Sequence, residues 1–324
     1  MAQAIVLREP CEATGLRIED ILVGPPAAGE LRLRQHAIGV NFHDIYVRNG
    51  LYKTLPLPGI PGIEAVGVVE AVGPGVTDFI PGDRVGYVTP HYGAYATERI
   101  LPADLALKLP AFLDDQTAAA VLVRGLTVEM LVRAVHRVEA RDRVLVQAAA
   151  GGVGRLLCQK LKAIGAVIIG TAGSPEKAAI ARAAGCDEVI LYRQEDFVAR
   201  VKHLTNGQGV DIVYDSVGKD TFMGSLECLA TRGHLVNFGQ SSGSVPPFEV
   251  SRLATRSATV SRPILFHYLT QRSERDTMVA ALFDALARGI LTIEAGRSFP
   301  LAEAGAAHEE LESRRASGPV VLLA

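Results

Sequence analysis

Short apolar runs alternate with helix-length segments from about residue 121 onward. The runs at 143–147, 167–170, 189–191, 210–214 and 233–238 are a few residues long and rich in β-branched side chains, which predicts buried strands. Segments such as 195–204 and 221–230 separate these runs and are long enough to form helices. Such an alternation indicates a parallel sheet with helices on both faces, the doubly wound α/β arrangement.

Capping residues predict where several helices begin and end. Ser174 is a suitable N-cap, Pro175 fits the first helical position, and Gly185 would end that helix. Two further helices are predicted near 276–288 and 302–316, followed by a closing strand at 320–323.

The first third of the chain has a different pattern. Glycine and proline are frequent there, and β-branched runs at 64–72 and 83–88 lie between turn signals, which predicts a compact, irregular β-domain. Because a chain of 324 residues exceeds what one hydrophobic core usually serves, we expect two domains.

Charge and cysteine content argue against several classes of protein. The chain has 33 basic and 35 acidic residues, a formal net charge of −2, so no nucleic-acid partner is expected. Its 4 cysteines stand far apart without a CxxC spacing, which fits neither a disulfide framework nor a zinc ribbon. No run of about 18 apolar residues and no signal peptide is found. We therefore expect a soluble cytoplasmic protein without a membrane partner.

A glycine-rich turn joins the predicted strand 143–147 to an amphipathic helix at 155–164. The turn, residues 148–154, reads Ala-Ala-Ala-Gly-Gly-Val-Gly. Small residues let the backbone approach a diphosphate, which the N–H groups and positive dipole end of the next helix would bind. The pattern departs from GxGxxG, so a plain glycine-rich turn is the alternative. The flanking strand and helix favour a dinucleotide site.

The segment after the next strand bears on which dinucleotide binds. An NAD enzyme places an acid there, about 20 residues after the glycines, to bind the ribose hydroxyls. Here no acid follows the strand directly; Ser174 supplies a hydroxyl at a helix N-terminus and Lys177 a cation, which suit a 2′-phosphate. NADPH is therefore the predicted cofactor. Taken singly, each residue has an equally good alternative to phosphate binding: Ser174 could be a plain N-cap, and Lys177 a solvent-exposed helix residue.

Five motifs in one order make the chain resemble a known family. They are Val40-Asn41-Phe42-His43-Asp44, the stretch from Arg48 to Tyr52, the turn from Ala148 to Gly154, Tyr214-Asp-Ser-Val-Gly218, and Phe238-Gly-Gln-Ser-Ser-Gly243. Together they are similar to the NADPH:quinone oxidoreductase (zeta-crystallin-like) family of the zinc-free medium-chain dehydrogenases/reductases. The match runs nearly end to end.

The resemblance implies two domains and a homodimer. Residues 1–122 and 265–324 would form a GroES-like, β-rich substrate domain, and residues 123–264 a Rossmann domain with a doubly wound parallel sheet. NADPH would lie in the cleft between them. A strand around 255–262 would extend the sheet across the two subunits.

The resemblance also implies the site residues. Asn41 would lie near the nicotinamide and its ribose, Tyr46 and Tyr52 would line the substrate side, and Arg262, in an Arg-Pro step, is a candidate pocket residue. Three further groups would contact the cofactor. They are Gly173, Ser174, Lys177 and Tyr192 at the 2′-phosphate; Ala150, Gly151, Gly152 and Val153 in the glycine turn; and Ser216, Val217, Phe238, Gly239 and Ser241 towards the ribose and nicotinamide.

Two departures from relatives limit these expectations. Many members of the family have Lys-Gly-Leu-Thr and an aromatic pair where this chain has Arg124-Gly-Leu-Thr-Val-Glu-Met130, so the family's quinone preference is not transferred. Zinc alcohol dehydrogenases of the superfamily use an early cysteine and a Gly-His-Glu turn, replaced here by residues 41–44 and Gly62-Ile-Glu64. A zinc site needs thiolate or imidazole ligands, so none is predicted. His43, with Asp44 and Glu64, is either a weak hard-metal site or, as we favour, a structural histidine.

Without a Lewis acid, reduction of an activated acceptor is easier than alcohol oxidation. A quinone or enone spreads the charge left by hydride addition over its own π system, so the protein mainly orients the nicotinamide and supplies hydrogen bonds. Asn41, Tyr46 and Tyr52 are the candidates, although both tyrosines also suit a packing role. The predicted function is NADPH-dependent quinone reduction. The alternatives are reduction of α,β-unsaturated carbonyls or enoyl thioesters, and a structural or RNA-binding role as in some relatives of zeta-crystallin.

Overall fold

The computed structural model describes residues 1–294, 296–313 and 318–324. In the described part, the strands are β1 (Ala2–Ile5), β2 (Ile18–Ile21), β3 (Glu30–Val40), β4 (Glu64–Val72), β5 (Arg84–Val88), β6 (Glu98–Pro102), β7 (Ala106–Lys108), β8 (Arg143–Val146), β9 (Val167–Ala172), β10 (Glu188–Leu191), β11 (Val210–Asp215), β12 (Leu229–Asn237), β13 (Thr259–Ser261), β14 (Arg297–Pro300) and β15 (Val320–Leu323). The helices are α1 (Phe42–Arg48), α2 (Asp115–Glu129), α3 (Gly152–Ile164), α4 (Pro175–Ala183), α5 (Phe197–Leu204), α6 (Phe222–Glu227), α7 (Leu265–Tyr268), α8 (Arg272–Ala287) and α9 (Ala304–Glu312).

The chain divides into two compact units, Met1–Val123 with Ile293–Ala324, and Arg124–Thr292. The first boundary falls within α2, next to the predicted 122/123. The return to the first unit lies at 292/293, whereas the resemblance placed it at 264/265. Residues 265–292 group with the second unit because Leu282 of α8 is fully buried against Gly125, where a Cβ would stand 2.4 Å from Leu282 Cδ1.

The first unit is built on a seven-stranded sheet around β3. The strand order is β14-β15-β3-β4-β5-β7, and β6 also pairs with β3. All pairs in it are antiparallel except β14 with β15. Alternate side chains of β3, such as Leu31 and Leu33, are fully buried, and the strand leads directly into Asn41 and α1. This sheet therefore places one group of candidate site residues at the end of its central strand.

The second unit is a six-stranded parallel sheet of order β10-β9-β8-β11-β12-β13. Its central strands meet in an apolar core that includes Leu145, Ile169, Val213 and Leu235. In chain order this is the 3-2-1-4-5-6 arrangement of a Rossmann fold, and the strand order reverses between β8 and β11. Ligands bind such sheets outside the carboxyl ends of the strands at this switch point. The predicted α/β architecture, a β-rich unit and a unit with a doubly wound parallel sheet, is present.

Several predicted boundaries were wrong. Strand β12 begins at Leu229 rather than 233, because Leu229 already pairs with Val210 before a shift of register. The strand expected at 255–262 is the shorter β13, since Ser257 has a φ of +49° and the backbone turns there. The predicted helix 302–316 is α9, and the predicted end of that helix, Ala316, lies outside the described residues. Among the described residues, no helix combines the length and apolar composition that a membrane crossing needs.

Candidate functional site

The glycine turn between β8 and α3 is held by close backbone contacts. Ala148 has a φ of +54°, and the Gly151 N–H donates to its carbonyl oxygen at 2.8 Å. A Cβ at Gly154 would lie 2.3 Å from the same oxygen, so only glycine lets the helix start this close to the strand. Gly151 is the N-cap of α3, and the N–H groups of Gly152 and Val153 in its first turn have no acceptor within the helix. The turn thus presents donors and a positive dipole end to an anion.

Arg124 places a cation beside this turn. A Cβ on Gly152 would be 3.2 Å from Arg124 Nε, and the arginine is only 9% exposed. A guanidinium next to a helix N-terminus strengthens the attraction for a diphosphate. Sequence reasoning treated Arg124 only as a departure from relatives, because the α2 residue is remote from the turn along the chain.

Buried polar side chains connect the carboxyl ends of the strands below the turn. Thr171 Oγ1 accepts from the Ala148 N–H at 3.1 Å and donates to Gln147 Oε1 at 2.7 Å. Gln147 Nε2 donates to Ser225 Oγ at 3.0 Å, and that hydroxyl donates to Asp215 Oδ2 at 3.1 Å. Sequence reasoning missed this network. The available signal was a polar residue at the carboxyl end of two of the apolar strands, Gln147 after β8 and Asp215 at the end of β11.

Four residues predicted for the 2′-phosphate are neighbours in the structure. Ser174 is the N-cap of α4, where its Oγ accepts from the Lys177 N–H at 3.3 Å. The Tyr192 hydroxyl lies over Gly173, where a Cβ would be 2.7 Å from Tyr192 Oη. A hydrogen bond from Ser174 lowers the pKa of the exposed Glu176. The group therefore combines one cation, one anion and two hydroxyls at a helix N-terminus.

The residues predicted for the ribose and nicotinamide lie in the loops after β11 and β12. The Ser241 N–H donates to the Ser216 carbonyl at 3.2 Å, and a Cβ on Gly239 would be 2.6 Å from that oxygen. Val217 and Phe238 belong to the same two loops. The structure thus brings all five residues together at the carboxyl edge of the sheet.

Arg262 lies at the same edge of the sheet. Its Nη1 donates to the Asn237 carbonyl at 3.0 Å. It also lines a cavity of about 510 Å³ together with the apolar side chains of Phe222, Phe248 and Val260. Asn237, Gln240, Ser244 and Ser261 add polar groups to the lining, so the cavity is of mixed character.

Asn41, Tyr46 and Tyr52 are grouped around α1 in the first unit. Asn41 is the N-cap of this helix. The rings of Tyr46 and Tyr52 meet edge to face with centroids 5.0 Å apart, and the Tyr52 N–H donates to the Tyr46 carbonyl at 2.8 Å. Tyr46 is only 9% exposed, so packing is a large part of its role, whereas Tyr52 is half-buried.

His43 lies against the Tyr92 hydroxyl. Its Nε2 lies 3.0 Å from the Tyr92 hydroxyl, and burial lowers the pKa of His43 to about 4. Asp44 and Glu64 accept hydrogen bonds from Asn41. Within the described ranges, no group of three histidine, cysteine or carboxylate side chains is arranged to hold a metal.

Known proteins match both units. A model of the zinc-binding dehydrogenases matches residues 152–284, and one of the alcohol dehydrogenase GroES-like domain matches residues 27–111. A quinone oxidoreductase from Pseudomonas aeruginosa is 44% identical over 95% of both chains, and a 2-haloacrylate reductase from a Burkholderia species is 42% identical over 100% of this chain and 99% of that protein. The solved structure of Escherichia coli quinone oxidoreductase with NADPH superposes with a TM-score of 0.96 at 41% identity, over 99% of this chain and 100% of the other.

Proposed function

This chain belongs to the quinone oxidoreductase family of the zinc-free medium-chain dehydrogenases/reductases and is an NADPH-dependent oxidoreductase, and from that premise we propose that it reduces quinones by hydride transfer. The observation that carries the proposal is the carboxyl edge of the second sheet. There a glycine turn with a buried arginine beside it and the Ser174 helix N-terminus follow the neighbouring strands β8 and β9, which supports assigning them to a dinucleotide that carries an extra phosphate.

Each group of residues has a proposed part in binding. The backbone of Ala150, Gly151, Gly152 and Val153, with Arg124, would hold the diphosphate. Gly173, Ser174, Lys177 and Tyr192 would hold the 2′-phosphate, and Ser216, Val217, Phe238, Gly239 and Ser241, with Asn41, the nicotinamide half. When bound, NADPH supplies the hydride. The residues fit it because a helix N-terminus and nearby cations favour an anion at each phosphate position.

Tyr52, Tyr46, Asn41 and Arg262 are the proposed acceptor-side residues. A quinone that has received hydride carries its charge on oxygen, which a phenol or guanidinium can stabilise by hydrogen bonding. Tyr52 is the better exposed tyrosine, so we assign it the direct contact and Tyr46 the packing of its ring. No obligatory general acid is needed, because water can protonate a hydroquinone anion.

Reduction of an α,β-unsaturated acid or carbonyl is the second candidate. The similarity to a protein named 2-haloacrylate reductase favours it, since that substrate is an activated alkene rather than a quinone.

Cofactor absorbance should be followed with NADPH and NADH against benzoquinone, an ortho-quinone, 2-chloroacrylate, a simple enone and an enoyl thioester. Preferred turnover of a quinone supports the proposal, and preferred turnover of an alkene moves the activity to the second candidate. Salt-sensitive RNA retention without turnover would indicate the structural or RNA-binding role.

Lys177→Ala should weaken NADPH binding by about 1.5–3 kcal/mol and leave NADH binding almost unchanged, because only NADPH offers a phosphate for a charge-assisted contact. Glu176→Gln is the matched change on the same helical turn. It should strengthen NADPH binding slightly, since it removes an anion beside the phosphate and releases the Ser174 hydroxyl. Dissociation constants from titration of nicotinamide fluorescence measure both effects. If Lys177→Ala weakened the binding of NADPH and NADH equally, Lys177 would not contact the 2′-phosphate.

We also propose a cytoplasmic homodimer. Strand β13 is one of the two edge strands of the second sheet, the other being β10, and the resemblance assigns the subunit contact to β13, which pairs with β12 on one side only. The mass in solution measured by light scattering tests this proposal, and a monomer at micromolar concentration would contradict it.

A further inference from the structure

A chain of buried polar side chains runs through the first unit from α9 to α1. Arg48 Nη2 contacts Glu312 Oε1 at 2.8 Å, and Arg48 Nη1 lies 3.2 Å from His308 Nδ1. His308 Nε2 is 2.9 Å from the Tyr95 hydroxyl, which in turn is 3.3 Å from Asp44 Oδ2. Arg48 is 2% exposed, and His308, Tyr95 and Asp44 are fully buried. Only the Glu312 end of this chain meets solvent to a substantial extent.

The donors and acceptors of this chain have one possible direction. An arginine can only donate, so His308 Nδ1 accepts from Arg48 and carries no proton. The neutral imidazole then has its proton on Nε2 and donates to Tyr95, whose own hydroxyl donates to Asp44. Burial and the charge of Arg48 lower the pKa of His308 to about 3, so the imidazole stays neutral near pH 7. From Arg48 through His308 and Tyr95, each hydrogen bond is therefore donated in the direction of the Asp44 carboxyl, whereas the bonds from Arg48 to Glu312 are donated the other way.

Asn41 is held from two sides by carboxyl groups. Asp44 Oδ2 accepts from its backbone N–H at 2.8 Å, and Glu64 Oε1 accepts from its side-chain Nδ2 at 2.7 Å. Glu64 Oε2 accepts from the Val123 N–H at 2.7 Å, so both oxygens of this carboxylate act as acceptors. A Cβ on Gly39 would be 2.2 Å from Glu64 Oε1, which shows how closely the carboxylate is enclosed. The carboxamide of Asn41 therefore has its nitrogen towards Glu64, and its oxygen lies at the N-terminus of α1, where the Asn41 side chain accepts from the Asp44 N–H as part of a capping box.

The protonation state of the Asp44 carboxyl is expected to change near neutral pH. Its Oδ1 is buried without a hydrogen-bond partner. Burial, and to a lesser extent the charge of Glu64, raise the pKa of Asp44 to about 7, against the opposing hydrogen bonds from Asn41 and Tyr95. The titratable groups around it are Glu64 on β4, Tyr92, whose pKa the Asp44 charge helps to raise, Tyr95, and Arg48 with His308 behind Tyr95.

We propose that Asp44 and Glu64 are positioning residues for Asn41. Asp44, oriented by the hydrogen bonds that begin at Arg48, holds the Asn41 backbone. Glu64 holds the carboxamide so that the second lone pair of its oxygen can accept a hydrogen bond from a hydroxyl or N–H group of the ligand. The inference rests on the proposed function in one respect, the assignment of NADPH as the ligand that Asn41 contacts.

Tyr95→Phe tests the link to Asp44, and Tyr87→Phe is the matched control. Both remove one buried tyrosine hydroxyl in the first unit. Tyr87, however, donates to Gln35, which is not one of the hydrogen-bonded side chains that connect Arg48 with Asp44. The NADPH dissociation constant is measured from pH 6 to pH 8, with Asp44→Asn as the reference that cannot ionise. A carboxylate holds an N–H more strongly than a carboxylic acid does, so the wild type should gain about 5-fold in affinity over this range beyond any gain in Asp44→Asn. Tyr95→Phe should move this transition to higher pH, and Tyr87→Phe should not.

Unfolding of the protein without NADPH gives a second readout of Asp44. Its pKa is about 7 in the fold against 3.8 ordinarily, so the folded state binds the proton more tightly. The stability that Asp44 contributes is therefore complete below pH 4 and is lost as the pH rises through about 7. The urea midpoint of the wild type should fall over this range relative to that of Asp44→Asn. His308→Gln, which can accept from Arg48 and donate to Tyr95, should behave as wild type, whereas His308→Leu should behave as Tyr95→Phe.

Glu64→Gln tests the hold on the carboxamide. A glutamine offers one acceptor and one donor to two N–H groups, so we expect about a 10-fold weaker NADPH complex. Glu70→Gln on the same strand, where Glu70 pairs with Arg32 and Arg34 at the surface, should leave binding unchanged. Unchanged binding in Glu64→Gln, or an unshifted transition in Tyr95→Phe and His308→Leu, would overturn the inference. A wild type that binds NADPH but reduces no acceptor would refute the proposed function alone, since these readouts need no turnover.

Discussion

Lys160→Met is expected to lower the free energy of unfolding by about 3–5 kcal/mol, because it leaves a buried carboxylate without its buried cation. Lys160 Nζ on α3 lies 2.5 Å from Glu129 Oε1 on α2, with side-chain exposures of 10% and 0%. Arg133 Nε also reaches Glu129, at 2.7 Å, but that arginine is 53% exposed. Urea unfolding followed by circular dichroism measures the loss.

Two companion variants make the result specific to the buried charge. Arg133→Met removes the exposed cation from the same carboxylate and should cost less than about 1 kcal/mol. Combining Lys160→Met with Glu129→Met replaces the buried pair by apolar side chains and should restore most of the lost stability. Equal losses in Lys160→Met and Arg133→Met, or no recovery in the double variant, would show that the pair does not behave as a buried ion pair.

Gly154→Ala is expected to destabilise the second unit by about 3 kcal/mol. The new Cβ would stand 2.3 Å from the Ala148 carbonyl oxygen and 3.0 Å from Ala149 Cα, so backbone rather than a flexible side chain must move. Moving the start of α3 also displaces the donors proposed for the diphosphate. We therefore expect NADPH affinity to fall about 100-fold, which corresponds to about 2.7 kcal/mol.

Gly152→Ala is the control for crowding at this turn. The three atoms nearest to its Cβ would belong to the Arg124 side chain, the closest at 3.2 Å, and no backbone atom is among them, so its unfolding free energy should change by less than about 1 kcal/mol. Wild-type stability and NADPH affinity in Gly154→Ala would mean that the turn can relax at no cost and that its tight packing is unimportant for the cofactor.

Much of the second unit could be predicted because its signals are local. The apolar runs predicted β8 to β11, although they placed the start of β12 too late, and Ser174 with Pro175 predicted the start of α4, where the structure has both residues at those positions. The resemblance to the quinone oxidoreductases and the choice of NADPH are confirmed by the comparisons. The roles of the individual site residues stay predictions, since no bound cofactor or acceptor tests them.

The sequence by itself determined the features that depend on neighbours along the chain: strand and helix periodicity, helix caps, and the small residues of the glycine turn. Only the tertiary structure decided which distant side chains meet. The Arg124 side chain lies beside Gly152, and Glu64 binds the Asn41 side chain. His308 contacts Tyr95, from which it is separated by 213 positions in the sequence. Such contacts leave no periodic pattern in the sequence. A buried polar side chain is stable only when it is hydrogen-bonded, and the partner that satisfies it is brought into place by the tertiary fold.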